Sequence, residues 1–345
     1  MITLGKFTFK DSEVLSCINF MKKSNVIFSG TLSEEDFLKY NFKKPKVIQN
    51  QNNLVTFINL EIDIEENDVV YCHLDYLELL FKLINKLEFS NIKVISTQSD
   101  RKITKKIFYQ KPECISKWYS VNVAYNHPDL VPIPLGIASY RNTKSVIYTD
   151  FINLNHNKKI KDSIYTNFNI NTNYFHRIKA QKSISNNLDQ NLKENSDYET
   201  YLVNLHSSEY CIAPWGNGID THRFWESLYS ETIPVTMNCI HYQSFSDLPV
   251  LLLNSYDEIK NIQKDFNFLE RSIEKLNINW WISIIKKGAR TSTGKKKVGF
   301  TKLEIRILQI YFIKLKYKNR LLKIIFTLLR KIHNKFSILR KILPL

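Results

Sequence analysis

The residues whose types and spacing suggest chemistry lie in one stretch, 210–236, whose centre reads CIAPWGNGIDTHRFWESL. Two of only eight glycines in the chain, Gly216 and Gly218, stand there between a predicted buried strand and a predicted helix. Glycine lets backbone N–H groups approach an anion closely, and a helix N-terminus favours negative charge. The stretch therefore predicts a phosphate-binding loop at Gly216, Asn217 and Gly218, with Asp220 as the expected N-cap of the helix.

Two charged residues of the predicted helix extend this loop into a candidate nucleotide site. Arg223, in the first turn, can hold a diphosphate through two parallel hydrogen bonds. Glu226 follows three residues later on the same helix face, where a carboxylate can accept hydrogen bonds from ribose hydroxyls. The alternative is an ordinary ion pair on the surface of an amphipathic helix. We favour the nucleotide site because the glycines precede these residues and apolar residues surround them.

The stretch 210–236 resembles the C-terminal signature of exostosin-like glycosyltransferases. The matching residues are, in order, Pro214, Gly216, Arg223, Glu226, Ile233, Pro234 and Val235. A looser similarity covers about 75–253, with Ser99 and Asp100, Trp118 and Asn122, the IPLG at 133–136, and Thr172, Asn173 and Arg177 after a strand at 164–168. One departure is Glu231, where many members have a small residue. The resemblance implies a GT-B fold, a nucleotide-sugar donor in the C-terminal half and an acceptor in the N-terminal half.

Glycosyl transfer in this fold needs neutralisation of the departing diphosphate and, in an inverting enzyme, a base for the acceptor hydroxyl. Arg177 is either a second phosphate contact or a solvated helix residue. Asp100 is the first candidate for the base, and a turn or cap aspartate is an equal alternative. On the acceptor side, His73 and Asp75 also qualify by position, at the end of a predicted strand.

Other residues are expected to have no part in the chemistry. Two histidines, His127 and His222, fit structural roles better than catalytic ones. No DxD-like pair stands in a suitable loop, so we expect no metal site. We also expect no cofactor besides the nucleotide sugar, which is a co-substrate.

The remaining pattern predicts an α/β protein with two Rossmann-like domains facing a cleft. Strand-like and helix-like segments alternate in the first third and again after 164, and the segment 128–136, with three prolines and a glycine, suits an inter-domain crossing. We expect an acceptor domain over 1–138, a donor domain over 139–285 and a basic tail over 286–345. The predicted strands are 46–48, 55–60, 69–72, 92–96, 164–168, 210–213, 233–236 and 250–253, and the predicted helices are 74–87, 174–184, 201–207 and 220–229.

The net charge of +16 belongs to the tail. Of the 49 basic residues, 18 follow position 285 with a single acid, whereas the first 285 residues carry 31 basic and 32 acidic residues. From position 321, apolar residues recur mostly at steps of three and four, as one helical face requires. We expect an amphipathic helix that binds an anionic membrane surface; the alternative is a helix that packs its apolar face on the body of the protein. Its expected membrane contacts are Arg320, Lys323, Arg330, Lys331, Lys335, Arg340 and Lys341.

These features predict where the protein acts and leave an alternative function open. The longest uncharged stretch of the tail, 307–313, has seven residues, too few to span a bilayer. The N-terminus lacks a secretory pattern, and five scattered cysteines do not suggest a disulfide framework. We expect a cytoplasmic, peripheral glycosyltransferase that builds a surface-polysaccharide or lipid-linked glycan. The alternative is a non-catalytic nucleotide-binding or scaffold protein whose tail binds membrane or RNA, although the chain has no recognisable nucleic-acid module.

Overall fold

The computed structural model describes residues 1–88, 90–141, 145–152, 160–188, 192, 197–262, 268–287, 294–310 and 312–313. The chain divides into two compact units, Met1–Val298 and Gly299–Leu345. The predicted α/β class is confirmed, since helices accompany several sheets, two of which are wholly parallel. Both parallel sheets belong to the first unit, and the boundaries at 138 and 285 stay predictions.

The strands of the described residues are short, and most lie in the first 140 residues. They are β1 (Ile2–Leu4), β2 (Phe7–Phe9), β3 (Val26–Ile27), β4 (Ser29–Ser33), β5 (Pro45–Gln51), β6 (Leu54–Asn59), β7 (Glu61–Ile64), β8 (Val69–His73), β9 (Ile92–Thr97), β10 (Ile115–Ser120), β11 (Leu130–Pro132), β12 (Ile160–Tyr165), β13 (Ser208–Ile212), β14 (Ile233–Met237), β15 (Leu251–Leu253) and β16 (Lys296–Gly299).

The helices follow or separate these strands. They are α1 (Cys17–Lys23), α2 (Glu34–Lys39), α3 (Leu77–Ile84), α4 (Lys105–Phe108), α5 (Tyr148–Ile152), α6 (Tyr174–Leu188), α7 (Tyr198–Ser207), α8 (His222–Tyr229), α9 (Ile240–Gln243) and α10 (Ile278–Ile285). Short 3-10 helices occupy Asp11–Glu13, Leu74–Tyr76, Ile170–Thr172, Tyr256–Asn261, Phe268–Glu270 and Ile273–Leu276.

The N-terminal parallel sheet has the strand order β11-β10-β9-β8-β3. Its central strands are buried on both faces: every residue of β8 is buried, and β9 is buried except at Lys93. Such strands read as continuous apolar runs, which is why the sequence predicted them directly. Helix α3 crosses from β8 to β9, and α4 from β9 to β10, so polar residues that follow each strand collect at one edge of the sheet.

The C-terminal parallel sheet has the strand order β12-β13-β14-β15. Tyr210 and Ile212 of β13 pack with Ile233 and Val235 of β14 in a core that includes Ile184 of α6. Parallel pairing sets Tyr210 opposite Ile233 and Ile212 opposite Val235. The carboxyl ends of β13 and β14 therefore lie at the same edge, and the segment that carries the glycines leaves from it.

Each predicted strand overlaps an observed one, and two details differ from expectation. Helix α8 begins at His222 with Thr221 as its N-cap, so the prediction that Asp220 is the N-cap is wrong; the Asp220 carboxylate is engaged elsewhere. The proline-rich crossing contains the strand β11, which is tolerated because it forms the sheet edge and Pro132 is its last residue.

The second unit contains a helix over 302–310. All seven predicted membrane contacts, Arg320, Lys323, Arg330, Lys331, Lys335, Arg340 and Lys341, lie outside the described residues. No helix in the described part of the chain is long and apolar enough to cross a membrane.

Glu231, the residue that departs from the family pattern, has a left-handed backbone with φ 54° just after helix α8. Glycine adopts this conformation without the steric cost that a Cβ adds. We expect Glu231→Gly to raise the free energy of unfolding by about 0.5–1 kcal/mol, whereas Glu231→Ala brings no such gain. Thermal and urea unfolding of both variants would measure the difference, and a Gly variant no more stable than the Ala variant would contradict it.

Candidate functional site

A cavity of about 580 Å³ opens where the carboxyl ends of the two parallel sheets meet within the first unit. Ligands of open α/β sheets bind at this edge, and the volume falls in the range of small-molecule sites. The N-terminal half contributes residues after β9, β10 and β11, and the C-terminal half contributes residues after β12 and β13. The lining residues are Cys17, Ile18, Thr31, Leu54, Gln98, Ser99, Asp100, Asn122, Leu135, Ile137, Ala138, Ser139, Tyr140, Ser145, Thr172, Arg177, Gly216, Asn217, Gly218, Asp220, Thr221 and His222.

The glycine loop, 214–218, is fixed to the N-terminal half by Asn122. Asn122 is buried with φ 56°; its Nδ2 donates to the Ser99 carbonyl (2.9 Å), and its Oδ1 accepts from the Asp220 N–H (2.8 Å). A Cβ on Gly218 would stand 2.7 Å from that Oδ1. Gly218 is therefore required for the close approach that holds the loop, in addition to any use of its N–H by a ligand.

Arg177 lines the cavity and also shapes the glycine loop. Its Nε donates to the Trp215 carbonyl (2.9 Å) and its Nη1 to the Asn169 carbonyl (2.7 Å). Burial, with the positive charge of Arg223 as a second cause, lowers the pKa of Arg177 to about 10. Arg177 is thus a buried cation at neutral pH and not a solvated helix residue, one of the two alternatives left by the sequence.

Arg223 lies behind the cavity wall, and its guanidinium carbon is 5.1 Å from the centre of the Tyr201 ring. Its Nη1 is buried and has no hydrogen-bond partner in the described part of the chain. Burial acts to lower the pKa of Arg223, but the Tyr201, Cys211 and Glu226 side chains outweigh it and the pKa is raised. The result is a permanent positive charge with an unused donor.

Glu226 is buried, with 6% of its surface exposed, so it is not half of a surface ion pair. Its Oε2 accepts a hydrogen bond from the Tyr201 hydroxyl at 2.7 Å. Glu226 and Arg223 therefore share Tyr201 as a neighbour. Glu226 does not line the cavity, and contact between its carboxylate and a ribose stays a prediction.

The three acceptor-side candidates occupy different positions. Asp100 is exposed and lines the cavity. Asp75 stands one hydrogen bond away, accepting from the hydroxyl of the cavity residue Ser99 at 2.5 Å. His73 is buried outside the lining; its Nδ1 accepts from the Asp75 N–H, and burial lowers its pKa. Asp100 therefore lines the same cavity as the glycine loop, whereas His73 does not.

The most heavily hydrogen-bonded side chain at the site, Asp220, was predicted only as a helix cap. Its buried carboxylate accepts from five donors. These are the N–H groups of Leu135 and Thr221 (both 2.9 Å), the Trp225 indole (2.8 Å), His241 Nε2 (3.1 Å) and the Tyr242 hydroxyl (3.3 Å), whose single proton is shared with the Ile219 carbonyl at 3.1 Å.

His241 joins this network through both of its ring nitrogens. The Val123 N–H, which can only donate, points to its Nδ1 at 3.4 Å, so the ring proton sits on Nε2 and is donated to Asp220. Both side chains are fully buried. No sequence spacing reveals this set, because its members are brought together only by the fold.

Comparisons with known proteins add no identification: no protein-family model and no curated protein matches the chain. The resemblance to exostosin-like glycosyltransferases therefore remains an expectation carried by the residues quoted above. Within the described residues, no group of three or more His, Cys, Asp and Glu side chains is placed to hold a metal ion.

Asp220→Asn should destabilise the fold by about 3 kcal/mol. The amide would present N–H groups to donors that need an acceptor, which leaves buried groups unsatisfied. A matched control is Asp247→Asn, since Asp247 is 40% exposed and pairs with Lys275 near the surface, where we expect a loss below about 1 kcal/mol. Chemical denaturation of both variants measures the difference, and equal losses would contradict a special role for Asp220.

Proposed function

We propose that the protein is a GT-B-type glycosyltransferase that moves a sugar from a nucleotide-sugar donor to a surface-polysaccharide or lipid-linked glycan, without a metal ion. The observation that carries the proposal is the pairing of the glycine loop with two arginines. Arg177 lines the cavity beside Gly216 and Gly218, and Arg223 is close enough to lower the pKa of Arg177 and has an Nη1 with no hydrogen-bond partner among the described residues.

Electrostatics favour an anion at this place. The two guanidinium groups are close enough for Arg223 to lower the pKa of Arg177. Like charges held together in a buried setting repel each other more strongly than in water. The negative charge of a diphosphate at the glycine loop would relieve this repulsion, and the loop backbone would offer N–H donors to it. A nucleoside diphosphate is both the anchor of a sugar donor and its leaving group.

The part of the cavity lining that comes from the N-terminal half supports an acceptor site. It is polar and comes from the N-terminal sheet, through Gln98, Ser99 and Asp100. A donor bound at the glycine loop would thus face side chains that can orient or deprotonate a hydroxyl. In this proposal Asp100 keeps its predicted place on the acceptor side.

A non-catalytic nucleotide-binding or scaffold protein is the competing function. Turnover distinguishes the two proposals. The protein is incubated with a panel of nucleotide sugars, with and without glycan or lipid-linked acceptors, and only an enzyme releases nucleoside diphosphate. Binding of nucleoside diphosphates without release from any donor would favour the scaffold.

Arg223→Lys keeps the charge but removes the planar fork, so we expect nucleoside diphosphate affinity to fall about tenfold to hundredfold, or about 1.4–2.7 kcal/mol. Thermal shift with UDP, GDP and ADP measures it. Arg141→Lys is a matched control, because the Arg141 guanidinium also lies over a tyrosine of α7, Tyr198, at 4.5 Å but outside the cavity. If Arg223→Lys leaves the affinity for nucleoside diphosphates unchanged, Arg223 has only a packing role.

The tail is proposed as the membrane contact. Removing 301–345 deletes 12 basic residues and one acid. The first compact unit ends at Val298, so we expect the truncated chain to remain folded and to act on a water-soluble acceptor while losing binding to vesicles with anionic lipid. Vesicle sedimentation at rising salt measures the electrostatic share. Unfolding on truncation, or full-length protein that binds RNA and ignores vesicles, would contradict the assignment.

A further inference from the structure

His222 is the first residue of helix α8 and lines the cavity between the glycine loop and the crossing segment that follows β11. From the sequence we expected a structural role for His222. Its position at the cavity wall instead places an imidazole at the junction of the proposed donor and acceptor sides.

The hydrogen bond of His222 fixes which ring nitrogen is free. Nδ1 lies 2.7 Å from the carbonyl oxygen of Gly136. A carbonyl can only accept, so Nδ1 carries the proton, and in the neutral ring Nε2 is left with its lone pair. Nε2 makes no hydrogen bond to any residue that the structure describes.

The carbonyl that holds His222 is itself held rigidly. Gly136 has φ 73°, and a Cβ at this position would lie 2.0 Å from the carbonyl oxygen of Leu15. The next residue, Ile137, donates its N–H to the same oxygen at 2.9 Å. The imidazole is therefore oriented by backbone that a glycine requirement locks in place, as a third group orients the base in many nucleophile–base sets.

The other titratable groups that line the cavity leave few rivals for proton transfer. Burial raises the pKa of both Cys17 and Tyr140, so neither loses its proton near neutral pH. Arg177, with a pKa of about 10, remains a cation. The Asp220 carboxylate is committed to its five donors. Asp100 remains, but it is exposed and no hydrogen bond within the described chain orients it.

We propose that His222 Nε2 is the general base of the transfer, an inference that rests on the proposed function. As the acceptor oxygen attacks C1 of the donor sugar, its proton passes to Nε2 and the C1–O bond breaks. The diphosphate departs with the bonding electron pair. The imidazolium later returns the proton to water. Direct displacement of the diphosphate by the acceptor oxygen inverts the anomeric centre.

The test uses variants of the full-length protein. His222→Asn keeps a side-chain N–H for the Gly136 carbonyl but has nothing in place of Nε2, and His222→Ala leaves room for added imidazole. His127→Asn is the matched control, since the His127 Nδ1 accepts from a backbone N–H outside the cavity. Asp100→Asn tests the rival base.

The expected result is a fall in kcat of at least about 100-fold in His222→Asn, with the donor KM within about twofold. The acidic limb of the rate–pH profile is lost, imidazole partly restores His222→Ala, and the product anomer is inverted. Turnover of His222→Asn within about fivefold of wild type, loss of the limb in Asp100→Asn alone, or a retained anomer would overturn the role of His222.

Thermal shift with UDP, GDP and ADP separates the two failures. If a nucleoside diphosphate stabilises the wild type and His222→Asn equally while turnover is unaffected, only the His222 inference fails. If none stabilises the wild type and no donor is consumed, the proposed function fails and His222 loses its role with it.

Discussion

The buried carboxylate of Asp220 is the interaction on which the arrangement of the cavity depends. A lone carboxylate away from water is costly, and it is tolerated only when every lone pair is used. Here five donors come from three directions: the crossing segment at Leu135, the start of helix α8 at Thr221 and Trp225, and helix α9 at His241 and Tyr242. Each of these elements must keep its place for the charge to stay satisfied. The buried Asp220 carboxylate therefore fixes the position of the C-terminal end of the glycine loop.

The side chains around the cavity differ in whether their hydrogen-bonding atoms are already used within the protein. Arg177 uses its guanidinium on loop carbonyls, and Asn122 uses its amide on the two halves of the first unit. Arg223 and His222 each keep one nitrogen without a protein partner in the described chain. Preorganised groups with unused hydrogen-bonding capacity are what recognition of a charged ligand needs, because they need not reorganise when it binds.

The elements and the loop could be predicted from the sequence because their signals are local. Strand β8, buried at every residue, reads as a largely apolar run, and Gly216 and Gly218 stand out in a glycine-poor chain. The partners of Asp220 could not be predicted, since Leu135 is 85 residues away and His241 is 21 residues away on another helix. The free nitrogen of His222 was equally hidden, because it follows from a bond to a carbonyl 86 residues away. Local spacing shows which groups are present, and only the fold shows which remain unused.

Because Asn122 contacts Gly218, the substitutions that each of these two distant positions tolerates depend on the residue at the other. Any side chain at 218 would collide with the Asn122 amide, which stands 2.7 Å from where the Cβ would be. A smaller residue at 122 would make room but would lose the bonds to Ser99 and to the N–H of Asp220. A substitution at either position alone would therefore weaken the contact between the two parallel sheets. In an alignment of descendants of this chain, the two columns would be expected to stay fixed together or to change together.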